Sequence, residues 1–145
     1  MSKDRVEEFL AVQTPQIPPR VPQRCRWSPP PPGFVKINVD GAVFSDTDSA
    51  GVGTVIRNRE GLVMASQTRR FSHAYSPVVI EALAALHGLQ LARDLGFTNA
   101  VLEGDFLQIM SALQSGCEVP SPAGLFIDEA RHSSQFFSKI TLLTC

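Results

Sequence analysis

From Phe34 to Ala42 the chain reads Phe-Val-Lys-Ile-Asn-Val-Asp-Gly-Ala, an alternating pattern that closes on an acid and a glycine. Val35, Ile37 and Val39 fall on one face and Lys36 and Asn38 on the other, so this stretch is a strand with one face in a core. The next position on the polar face is Asp40, held at the strand's end where solvent or a cation can reach it. Gly41 lets the backbone turn with no Cβ in the way. Alone, an Asp-Gly pair after a core strand is an ordinary turn. Two acids further along make it a candidate site.

After a polar loop from Ser45 to Ser49, a second strand begins Ala50-Gly-Val-Gly-Thr-Val-Ile-Arg, with Gly51 and Gly53 on one face. Glycines weaken a strand, so either a backbone or ligand approaches closely there, or they mark a bulge or tight packing. The turn residues Asn58-Arg-Glu-Gly61 lead into a third strand, Leu62 to Phe71, giving three consecutive antiparallel strands. Ser76-Pro77 then starts a helix, Ser as the cap and Pro at the first helical position, that runs from Val78 to Leu95 and ends at Gly96. Ile80, Leu83, Ala84, His87 and Leu91 share one face, and Ala82, Leu86 and Leu89 make much of the rest apolar. Such a helix is heavily buried, which makes Glu81 near its start conspicuous; His87 is read as structural. Asn99 to Asp105 is a fourth strand, and Phe106, Ile109, Met110 and Leu113 repeat at helical spacing up to Gly116. The simple role for Asp105 at that junction is an N-cap. A third helix, Leu125 to about Phe136, and a last strand, Ser138 to Leu143, complete the pattern.

Prolines at 15, 18, 19, 22 and 29 to 32 remove amide donors and favour extended geometry, so residues 1–33 read as a flexible Pro-rich segment and 34–145 as the domain. A short helix over Val6 to Val12 would be marginal on its own. The formal charge of -1 argues against strong nonspecific binding of nucleic acid, leaving any phosphate contact to local patches or bound metal. Cys25, Cys117 and Cys145 offer neither metal spacing nor a disulfide framework, which fits a reducing compartment. The charged N-terminus is unlike a signal peptide and no apolar run reaches membrane-spanning length, so a soluble, intracellular chain with no membrane partner is expected.

The order is three strands, helix, strand, helices, strand. A strand, crossover helix and parallel strand connect right-handedly, and such sheets place ligands beyond the carboxyl ends of adjacent parallel strands. If the first and fourth strands are those neighbours, Asp40 and Asp105 meet, and Glu81 points at the same spot. Three crowded carboxylates repel unless protonated or neutralised, and hard oxygen ligands select Mg²⁺ or Mn²⁺.

Asn38-Val-Asp-Gly-Ala, Gly51-Val-Gly, Ile80-Glu-Ala-Leu-Ala-Ala and Leu102-Glu-Gly-Asp, in this order, resemble the ribonuclease H domains. The closest likeness is to the plant branch related to non-LTR retrotransposon reverse transcriptases, whose lead-in Trp27-Ser-Pro-Pro-Pro-Pro-Gly also resembles. The resemblance implies an α/β fold: a mixed five-stranded sheet, three antiparallel strands then two parallel additions, with flanking helices. It implies hydrolysis of the RNA strand of an RNA/DNA hybrid with two Mg²⁺ or Mn²⁺ ions. Asp40 would then bridge the metals, Glu81 and Asp105 would each hold one, and Gly41, Gly51 and Gly53 would meet the substrate, their backbone near the RNA 2′-hydroxyls. Two departures stand out. Phe106 replaces the small or polar residue usual after the aspartate, and the last helix with its Asn-x-x-Ala-Asp or Asn-x-x-Ala-His signature does not follow the final strand. No carboxylate follows Glu129, and His132 precedes the last strand, so it is not assigned the role of a mobile catalytic histidine. The expectation is a weakened second metal site favouring Mn²⁺, with Ile140, Leu142 and Leu143 exposed and inviting self-association. The alternative is a catalytically weakened or inactive nucleic-acid-binding or interaction module derived from a truncated retroelement.

Overall fold

The computed structural model describes residues 26–115 and 122–144. Strand β1 (Val35–Phe44) leads through a 3-10 turn (Ser45–Thr47) to β2 (Ser49–Arg57) and β3 (Val63–Phe71). Helix α1 (Pro77–Asp94), β4 (Asn99–Gly104), α2 (Leu107–Ser115), α3 (Pro122–Ser134) and β5 (Lys139–Thr144) follow. The sheet order is β3-β2-β1-β4-β5. The first three strands are antiparallel, and β4 and β5 add in parallel on the β1 side, so the mixed five-stranded sheet is the one implied by the motifs.

Local chemistry sets the element ends. In the β2–β3 turn the Asn58 side-chain oxygen accepts from the amides of Glu60 at 2.9 Å and Leu62 at 3.0 Å. Gly61 there takes a φ of 86°, which L side chains rarely adopt. Ser76 stands at the N-cap position of α1, but its side chain makes no capping bond; Pro77 at the first position carries the start, contrary to a Ser cap.

Helix α1 lies across β1 and β2 and packs on another side against α3. That double contact explains why Val79, Ile80, Ala82, Leu83, Ala84, Ala85, Leu86, Leu89 and Ala92 are all buried. Gly88 permits the close approach: a methyl there would run into the Val39 side chain and meet Ile37 Cγ2 at 3.2 Å. Ile37, Ile56, Leu102, Ile109 and Ile127 complete the core.

The opposite face of the sheet carries Lys36, Asn38 and Asp40 beside Arg57, Val55 and Gly53 of β2. Here the end of the Pro-rich segment packs down. Pro30 is fully buried, Arg59 donates to its carbonyl at 2.7 Å, and Lys36 Nζ donates to the Ser28 carbonyl at 2.6 Å. Proline removes amide donors but keeps its acceptors, so side chains of β1 and of the β2–β3 turn tie these residues down without a sixth strand. The possible helix at Val6 to Val12, all three cysteines and Gly116 lie outside the described residues. On β5, Ile140 and Leu142 are half-buried against the core and Leu143 is exposed. Among the described residues no helix is long and apolar enough to cross a membrane.

Candidate metal centre

Pairing of β1 with β4 runs from Val35 and Ala100 to Asn38 and Glu103 and goes no further. Asp40 on β1 and Asp105, just past β4, lie two residues beyond that last rung. Glu81 comes in from the first turns of α1. One carboxylate oxygen from each of Asp40, Glu81 and Asp105 lies within 4.8 Å of the other two.

Gly41 does not end the strand or turn it: β1 continues to Phe44, with Gly41 opposite Val52, and the turn comes at Ser45–Thr47. The glycine is needed for a close approach instead. A Cβ at Gly41 would run into the Ile80 side chain, with the Ile80 carbonyl at 3.2 Å and Glu81 Oε2 at 3.4 Å. Because β1 is bare at this point, α1 settles against it and delivers Glu81 to Asp40. The Gly41 amide also donates to Asp40 Oδ1 at 2.9 Å.

The charges conflict in the way a cation would relieve. Partial desolvation, with the Asp105 charge added, pushes Asp40 up to about 6 despite the Gly41 amide, which pulls it down. Desolvation, then the charges of Asp40 and Asp105, push Glu81 up to about 7. All the donors are hard oxygens and two resist ionisation where they stand, so the set fits a divalent cation of the Mg²⁺ or Mn²⁺ kind.

Comparison with known proteins shows the family and the fold. The model of the family described as reverse transcriptase-like matches residues 38–143. The chain belongs to the reverse transcriptase-like family. Its ribonuclease H-like fold is shared with the RNase H1 of the halophilic archaeon Halobacterium salinarum, at a TM-score of 0.71 and 23% identity over 78% of this chain and 86% of that one. It is also similar to the N-terminal RNase H domain of a Mycobacterium tuberculosis protein, solved as a fusion with maltose binding protein (TM-score 0.68, 23% identity, 77% and 82% covered). A third similar structure is LC11-RNase H1, solved in complex with an RNA/DNA hybrid (TM-score 0.67, 16% identity, 77% and 84% covered). No curated protein matches the chain.

In this reverse transcriptase-like chain Asp105 is not the N-cap of α2. The carbonyl of Phe106 accepts from Ile109 and Met110, both at 3.1 Å, so Phe106 takes that position. The Phe106 side chain is half-buried and packs against the core. Gly53 lies opposite Asp40, and Gly51 opposite Ala42; on the other side they face Thr68 and Arg70 of β3. A Cβ on Gly53 would meet nothing within 4 Å, and one on Gly51 only the Arg69 carbonyl at 3.4 Å. The β2–β3 register shift falls at Ile56 and Arg57, so a bulge does not account for these glycines. They leave a flat floor beside Asp40.

His87 stacks at a tilt on Phe71, 6.0 Å between centroids, and burial followed by the Arg69 charge lowers its pKa. His132 sits on α3 with its ring edge-on to Phe136. Neither belongs to the carboxylate cluster. Residues that the sequence did not single out bear on the site. Asp48 Oδ1 accepts from the Ala74 amide at 2.9 Å, tying the β1–β2 turn to the loop before α1. Lys36 and Glu103 form an ion pair of 3.1 Å with side chains only 1% and 8% exposed. The readable signal for Glu103 is its spacing, two residues before Asp105 at the end of β4.

Proposed function

We propose that this chain is a metal-dependent ribonuclease of the ribonuclease H type, cleaving the RNA strand of an RNA/DNA hybrid. The observation that carries this reading is the meeting of Asp40, Glu81 and Asp105 within 4.8 Å at the open ends of two parallel strands. The RNA/DNA hybrid bound to LC11-RNase H1, a protein of similar fold, supports the choice of substrate. The four motifs and the Trp27 to Gly33 lead-in support placing the chain on the plant branch related to non-LTR retrotransposons.

Asp40, Glu81 and Asp105 would hold Mg²⁺ or Mn²⁺. Bound there, the cation would activate water and stabilise the leaving oxygen of the phosphodiester. The protein's own part is positioning. The Gly41 amide fixes Asp40 Oδ1, and the contact of Ile80 with the bare backbone of Gly41 sets how far Glu81 reaches. Gly51 and Gly53 leave room for a sugar-phosphate backbone to lie against β2, with 2′-hydroxyls within reach of main-chain groups. Arg70 flanks that floor and pairs with no carboxylate among the described residues, so it is available to a phosphate.

The test is cleavage of an end-labelled hybrid, beside single-stranded RNA and duplex DNA of the same sequence, with Mg²⁺, Mn²⁺ or EDTA. The expected result is metal-dependent cutting of RNA in the hybrid alone, lost in Asp40→Asn. Hybrid binding without cleavage under either metal would replace this reading with that of a binding module.

A further inference from the structure

The separation of Asp40 from Asp105 depends on how firmly the last rung of the β1–β4 ladder is held, because backbone pairing stops at Asn38 and Glu103. That rung carries an unusual set of side chains. Asn38 Nδ2 donates to Glu103 Oε1 at 3.2 Å, and Lys36 Nζ lies 3.1 Å from the same oxygen. Lys36 also donates to the Ser28 carbonyl at 2.6 Å and to Ser28 Oγ at 3.3 Å, with its ammonium 5.3 Å from the centroid of the Trp27 ring. The cluster sits on the face opposite α1, spans β1 and β4, and is closed from outside by the lead-in.

Its chemistry is costly for a group serving stability alone. A buried ion pair is no better than well-packed apolar residues of the same volume. Asn38 adds a further cost: with Nδ2 turned to Glu103, its Oδ1 is buried with no partner among the described residues. Turning the amide over would set its oxygen against a carboxylate, so Glu103 dictates the orientation.

We propose that Lys36, Asn38 and Glu103 are positioning residues, a buried clasp closed by Trp27 and Ser28 that holds Asp40 and Asp105 at metal-binding separation. The proposal rests on reading the carboxylate cluster as a metal centre. None of the three touches the substrate or the metal; they act through the two strands.

The test uses the full chain and needs no substrate. Lys36→Met/Glu103→Leu removes one positive and one negative charge together, so the field at the carboxylates changes little, and apolar groups fill the volume. Three quantities are compared with wild type: the urea midpoint, Mn²⁺ affinity by calorimetry, and metal-free amide exchange at Gly41 and Phe106. The expected result is a folded protein whose midpoint falls only modestly, because Asn38 Nδ2 loses its acceptor, with Mn²⁺ affinity down by about tenfold or more, as is usual for groups that orient metal ligands, and faster exchange at both amides. A folded double variant with wild-type affinity and exchange would overturn the proposal. Should that variant not fold, Asn38→Leu keeps the ion pair and removes the orphaned oxygen. It is expected to be no less stable yet to bind Mn²⁺ more weakly, and unchanged affinity would equally overturn the clasp. If wild type itself takes up no Mn²⁺, the metal reading fails, while the exchange comparison still decides whether the clasp holds the strand ends.

Discussion

Replacing Asp40 by Asn should make the metal-free protein more stable at pH 8 and no more stable at pH 4. Asp40 is pushed from an ordinary 3.8 up to about 6, and Glu81 from 4.5 up to about 7. The folded protein therefore binds protons at these sites more tightly than the unfolded chain does. Well below the ordinary 3.8 and 4.5 both states are protonated and no penalty exists; it is still small at pH 4, grows as pH rises, and is complete once pH is above the folded values of about 6 and about 7. Two pK units for Asp40 would correspond to roughly 3 kcal/mol. The Asp40 side chain is exposed, however, and solvent screening reduces this to about 1 kcal/mol. Urea unfolding in EDTA, followed by circular dichroism, should show a gain of that size for Asp40→Asn at pH 8 and almost none at pH 4. Added Mn²⁺ should stabilise wild type, which binds it folded, and leave the variant unmoved. A variant less stable at pH 8, or a gain equal at both pH values, would refute the argument from carboxylate crowding.

The two glycines beside the centre should behave in opposite ways. Gly41→Ala drives a methyl into Ile80 and should cost about 1–3 kcal/mol in urea unfolding, with weaker Mn²⁺ binding as Glu81 shifts. Gly53→Ala points into open space and should gain up to about 0.5–1 kcal/mol, while hybrid affinity measured by fluorescence anisotropy falls. Lys36→Met alone takes the ammonium from the buried Glu103 carboxylate and should lower stability in urea unfolding more than the paired replacement does. Mn²⁺ affinity should fall as pH drops through the range of about 7 to 6 where Glu81 and Asp40 of the metal-free protein take up protons; calorimetry that finds an affinity flat down to pH 5 would contradict those assignments.

The strands and the long helix were legible because their periods are clean. Val35, Ile37 and Val39 alternate, and the apolar residues of α1 leave no polar stripe wide enough for solvent, matching its burial between sheet and α3. The meeting of the three acids followed from strand order once β1 and β4 were taken as neighbours. Three features were not legible, each for a physical reason. Gly41 read as a turn because sequence shows that a Cβ is missing but not what fills the space, which is Ile80. Lys36 read as a solvent-facing strand residue because period two separates the faces without saying whether the second is covered. The cover comes from Trp27 to Pro30, where a proline-rich composition hides a packed segment held through its carbonyls. At Asp105 the bland alternative to a metal ligand is an N-cap, the common role of Asp at a strand-to-helix junction, and only the backbone geometry shows that Phe106 takes that position.

Hybrid cleavage by wild type, Asp40→Asn, Glu81→Gln and Asp105→Asn, each confirmed as folded and assayed with Mn²⁺, tests the central claim most directly. Metal-dependent cutting of the RNA strand by wild type is expected, with its loss in every one of the three variants, since each removes a carboxylate from one shared centre. Cleavage that survives in all three variants, or that proceeds equally well in EDTA, would contradict it.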